Sequence, residues 1–138
     1  MELGRAHWLA LLAEAYGYAG QTHEGLNVLT EALAAVHNHA GRWWEPELYR
    51  LRGALLLHVA APQEEAEACL QQALAVARRQ QAKSLELRAA LSLSRLWQQQ
   101  GKRAEAHELL TEVYGWFTEG FDTPDLQEAK ALLEELRA

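Results

Sequence analysis

The chain has 138 residues, a formal net charge of −6 and a pI near 5.5. That is one domain's length, and the charge disfavours nucleic acid, whose non-specific binding is carried by phosphate neutralisation. Its single cysteine, Cys69, allows no internal disulfide, no apolar run approaches the ~20 residues that span a bilayer, and the start, "MELGRAHW", lacks a signal-peptide design, so a cytoplasmic protein with no membrane partner is expected.

Ala and Leu supply 50 residues, Val five and Ile none, a balance of strong helix formers over β-branched side chains that predicts an all-α fold. The three prolines, Pro46, Pro62 and Pro124, each fall where a helix could start, because a first helical turn has no use for the missing N–H. In chain order, helices are expected near 5–19, 22–38, 45–60, 63–81, 84–99 and 102–117. The first, "AHWLALLAEAYGYA", is apolar around most of its circumference, as in a helix covered on two sides. Its exposed side calls for a neighbour, either an earlier helix or a second copy of the chain. Glycines in "AGQT" (19–22) and "QGKR" (100–103) suit helix C-termini, and a proline turns the chain in "AAPQE" (60–64). After "GFDTPD" (120–125) a seventh helix is expected over about 124–137, with Thr123 as N-cap and Asp125 complementing the dipole. Its stripe of Leu126, Ala129, Leu133 and Leu136 leaves the other face charged, the pattern of a terminal cap.

One unit recurs three times. Gly25, Ala66 and Ala106 open the similar runs "GLNVLTEAL", "AEACLQQAL" and "AHELLTEVY". Each is preceded by a helix with its own small residue (Ala13, Gly53, Ser94) and then a large one (Tyr16, Leu56, Trp97). Antiparallel helices approach closely only where small side chains meet, with large ones filling the flanks. The units fall at about 5–39, 45–81 and 84–118 of a single domain spanning 1–138. This pattern resembles the tetratricopeptide repeat, in which small residues, a large residue and a turn glycine hold corresponding places. At about 34 residues that repeat is shorter than the unit here, which implies longer helices. The fold class expected is an α-α solenoid of three long hairpins plus a C-terminal capping helix.

From Trp44 to Lys130 the runs "WEPELYRLRGALLL", "ARRQQAKSLELRAALSLSRLW", "GKRAEAHELL" and "VYGWFTEGFDTPDLQEAKALLEEL" resemble something narrower. They are similar to the C-terminal helical-repeat tail of bacterial signalling proteins that carry a class III adenylate/guanylate cyclase domain and an AAA-type ATPase. The resemblance implies a sensing or assembly tail without catalysis, since "GKR" (101–103) lacks the rest of a phosphate-binding loop.

Candidate chemistry is sparse. Of the adjacent Trp43 and Trp44, one is expected to pack back near Leu48 and the other to stay more exposed. His37 and His39, two apart, would point about 200° apart on a helix and could not chelate there. Ser84, Ser92 and Ser94 sit in helical pattern rather than on a strained turn, and "RRQQAK" (78–83) reads as cations complementing a helix C-terminus. No catalytic residue, metal site or cofactor is therefore expected, and the chain is read as a non-enzyme.

The tetratricopeptide resemblance implies a concave groove built from the first helix of each pair. Transferred place by place, its lining is His7, Ala10, Glu14, Gly17 and Tyr18, then Glu47, Arg50, Ala54, Leu57 and His58, then Arg88, Leu91, Arg95, Gln98 and Gln99. Arg50, Arg88 and Arg95 would either hold the carboxylates of an acidic protein or peptide partner by paired hydrogen bonds or pair internally with Glu47 and Glu86. The function expected is protein–protein interaction through this groove. The alternative is self-association, as a homodimer, through Trp8, Leu9, Leu11 and Tyr16 of the first hairpin.

Overall fold

Helix-forming sequence broken by Gly and Pro gives seven α-helices and no strand among the described residues. The computed structural model describes residues 2–36, 42–59 and 61–137; His37 and His39 lie outside them. The helices are α1 (Glu2–Tyr18), α2 (Thr22–Ala35), α3 (Glu45–Leu56), α4 (Gln63–Gln80), α5 (Lys83–Gln99), α6 (Arg103–Tyr114) and α7 (Pro124–Arg137). A single 3₁₀ turn, Arg42–Trp44, leads into α3. Three helices end sooner than the sequence predicts: α2 stops at Ala35 rather than near 38, α3 at Leu56 rather than near 60, and α6 at Tyr114 rather than near 117. After α3 and α6 the helix gives way to tighter turns, His58 N–H donating to the Leu55 carbonyl three residues back and Phe117 N–H to Tyr114.

The punctuation follows the residues. Gly20 and Gly101 take left-handed φ values of +78° and +81° where α1 and α5 end, the conformation an L side chain adopts only at a cost. Gln81 adopts φ +56° after α4 without being glycine. The Thr123 hydroxyl accepts a hydrogen bond from Leu126 N–H at 3.4 Å, capping α7 as expected.

Each helix packs on the next in the chain, and α1, α3, α5 and α7 also touch one another in series. Close approach within each hairpin rests on the small residues. A Cβ added to Gly25 would stand 3.1 Å from the Ala13 carbonyl, and one added to Gly53 would stand 3.0 Å from the Ala66 carbonyl. In the third hairpin the buried Ser94 hydroxyl donates to the Ala106 carbonyl at 3.4 Å. The apolar interior runs in two main clusters. One, with Leu29, Leu48, Leu51 and Leu55, joins α1, α2 and α3. The other, with Leu70, Leu87, Leu93, Leu110 and Leu132, extends from α4 to α7. Fully burying each such leucine contributes about 1.5–3 kcal/mol.

Candidate binding groove

Four helices supply the walls of a cleft of about 500 Å³: α1 gives His7, Ala10, Leu11, Glu14 and Tyr18; α3 and its N-cap give Trp44, Glu47, Arg50 and Leu51; α5 gives Arg88, Leu91, Ser92 and Arg95; α7 gives Asp125 and Glu128. The spacing explains the grouping. On α5, positions 88, 91, 92 and 95 lie on one helical face; the buried leucines at 87, 93 and 96 lie off it, and Leu91, 4% exposed, ties the face to the core. A smaller hollow of about 200 Å³ adjoins the cleft, sharing Glu14, Tyr18, Arg50 and Leu51 and adding Gly17, Ala54, Leu55 and His58.

Charges in the cleft are extensively paired. Glu47 is almost wholly buried, 3% exposed, and accepts from both Arg50 and Arg88. Arg50 also donates to the Ser92 hydroxyl at 3.4 Å. Arg88 donates through Nε to Asp125 at 3.0 Å, and Arg95 to Glu128 at 3.0 Å. Burial opposes the charge on Arg88, but its hydrogen bonds to Asp125 and Glu47 outweigh that and hold its pKa above the ordinary arginine value. Each of the three groove arginines thus has a carboxylate partner. The internal pairing anticipated for them involves Glu47, with Asp125 and Glu128 of α7 in place of Glu86. Glu86 binds Arg78 and Lys83 elsewhere on α5's flank.

Of the side chains expected to line the groove, His7, Glu14, Tyr18, Arg50, Arg88 and Arg95 do so, and His58 lines the adjoining hollow. Gln98 and Gln99 line neither. Glu47–Arg88 and Arg50–Ser92 set α3 against α5 at an offset of 41 to 42 residues. Continued, that register puts Gln98 and Gln99 opposite Leu57 and His58, where α3 has already ended. Leu57 likewise lies outside both hollows and is 38% exposed. In the first hairpin, Leu9 is buried in the core at 7% exposure. Tyr16 is half-buried, its Cβ 3.5 Å from where a Gly25 Cβ would stand. Trp8 and Leu11 are exposed.

The tryptophan pair resolves as a helix entrance with a second use. Trp44 packs against the cluster holding Leu48, while Trp43 is 50% exposed. Trp44 also meets the His7 ring edge-on at 5.0 Å, and both line the cleft. Sequence reasoning did not assign Trp44, Leu11, Leu51, Ser92, Asp125 or Glu128 to the groove. Helical spacing carries a signal for Leu11 and Leu51, but none of it foretells the reach of α7.

No protein-family model matches the chain, and neither does any curated protein or solved structure. Among the described residues, no three His, Cys, Asp or Glu side chains come together as a metal would require, and no helix is long and apolar enough to cross a membrane.

Proposed function

We propose that this chain is a non-catalytic protein-interaction module that takes a segment of a partner protein in the cleft between α1, α3, α5 and α7. The observation that carries it is the cleft itself, a 500 Å³ concavity walled by four helices. Its three arginines are held in place by ion pairs, so ordering a ligand against them costs little reorganisation of that part of the wall. The order of helix contacts supports reading the fold as an α-α solenoid of three hairpins with α7 as its cap. The resemblance of residues 44–130 to cyclase–ATPase tails supports a further assignment, to sensing or assembly in a bacterial signalling protein. An acidic partner, on this reading, competes with Asp125 and Glu128 for Arg88 and Arg95. The test is selection from a displayed peptide library, followed by amide chemical-shift mapping of the selected binders. Shifts along α1, α3 and α5 are expected; binders that perturb only α2, α4 and α6 would refute the assignment.

A second reading has its own observation. Trp8 is 62% exposed and Leu11, three residues on, 48% exposed, a pair of apolar side chains on one side of α1 that a second copy of the chain would cover. Light scattering over a range of concentrations tests it. A dimer that Leu11→Glu dissociates supports the reading, and a monomer throughout removes it.

A further inference from the structure

Within the proposed groove, the charges do not cancel. Three arginines face four carboxylates, and Glu47, Asp125 and Glu128 are the three that the arginines engage. The surplus carboxylate is Glu14, which has no hydrogen-bond or ion-pair partner among the described residues. It is half-buried, lines both the cleft and the adjoining hollow, and so occupies the boundary between them. Leu11, three residues before it, and Tyr18, four after it, share its side of α1, and Tyr18 is 86% exposed. An anion flanked by an apolar side chain and an open aromatic ring matches one ligand chemistry closely. A Lys or Arg side chain has an aliphatic stem for the leucine, a cationic head for the carboxylate and a charge that an aromatic face attracts.

We infer that Glu14 receives a basic side chain of the bound segment, so that the groove favours a Lys- or Arg-bearing partner over an acidic one. This rests on the groove reading above and adds the sign of the ligand's charge. The arginines do not supply an opposing preference, because Arg50, Arg88 and Arg95 are already neutralised by carboxylates anchored on α3 and α7. The chain's net charge of −6 acts in the same direction at long range, steering cationic segments toward it.

The test uses two peptides of Ala, Leu and Gly, identical except that one carries two lysines where the other carries two glutamates, titrated into the full chain with amide shifts as readout. A non-specific attraction of cations to an acidic protein is separated by two variants with the same change in net charge, Glu14→Gln in the groove and Glu108→Gln on α6. The expected result is that the lysine peptide shifts α1 and α3 amides, and that Glu14→Gln weakens it about tenfold, the loss of one charge-assisted contact of ~1.4 kcal/mol, while Glu108→Gln leaves it unchanged. Equal weakening by both variants, or binding indifferent to Glu14→Gln, overturns the inference. A glutamate peptide that binds α1 and α3 more tightly overturns it too, yet leaves the groove reading standing. Binding of neither peptide in the groove counts against both.

Discussion

Replacing Glu47 with Gln tests whether the groove wall is a cooperative structural element or a set of surface contacts. Glu47 is 3% exposed, while the side chains of Arg50 and Arg88 are 20% and 40% exposed. In the variant the amide retains one oxygen acceptor and turns an NH₂ toward a guanidinium. Arg88 keeps Asp125 at 3.0 Å, whereas Arg50 has, besides whatever share of the remaining amide oxygen it takes, only the Ser92 hydroxyl at 3.4 Å. Removing one member of a buried pair costs about 3–5 kcal/mol, and the partial exposure of both arginines lets water recover some of that, so a loss of about 2–4 kcal/mol is expected. Glu128→Gln removes the same chemistry from a pair with sides 42% and 46% exposed, for which about 0–1 kcal/mol is expected. Urea unfolding followed by far-UV circular dichroism measures both, with stability taken from the midpoint at an unchanged slope. Equal losses for the two variants, or a Glu47→Gln loss below about 1 kcal/mol, would refute the claim that burial makes Glu47 the anchor of the wall.

Four further outcomes follow from the structure. Gly53→Ala puts a Cβ 2.9 Å from Leu70 Cγ and 3.0 Å from a backbone carbonyl; overpacking of about 1–3 kcal/mol exceeds the ~1 kcal/mol helix-propensity gain, so denaturation shows a net loss. Gly17→Ala meets only the movable Leu55 Cδ2 methyl at 2.7 Å, and near-neutrality or slight stabilisation is expected from the same assay. Thr123→Ala removes the α7 cap and lowers stability by ~1 kcal/mol; an unchanged midpoint would show that the hydroxyl contributes nothing. Burial, aided by Glu45, raises the Tyr49 pKa above 10.0. The folded state therefore holds that proton more tightly, so the stabilisation is complete below pH 10.0 and is lost as the pH rises through the folded-state value. Phenolate absorbance during alkaline titration reads it, and Tyr49→Phe removes the corresponding step.

What the sequence discloses is what depends on neighbours along the chain. Helix starts at Thr22, Glu45 and Gln63, the turn glycines at 20 and 101, and the small-residue contacts Ala13–Gly25, Gly53–Ala66 and Ser94–Ala106 are all set by local spacing and by one hairpin's geometry. The pairing of groove charges depends on how helices distant in the chain pack together. Arg88 stands 41 residues from Glu47 and 37 from Asp125, and no periodicity in a single helix shows that α7 swings its first turn beside α5. The same cause misplaces Gln98 and Gln99: their helix is where it was expected, but the opposite wall stops at Leu56.

Those long separations also assign the groove a place in time. Contacts between successive helices close short loops and form early, whereas the Glu47–Arg88 and Arg88–Asp125 bonds need three helices far apart in the chain, α3, α5 and α7, to be docked first. Interactions absent from the folding transition state act on escape from the native state. Cutting these pairs should speed unfolding while leaving the refolding rate nearly unchanged, so the charged wall of the groove serves as a latch on the lifetime of the folded chain.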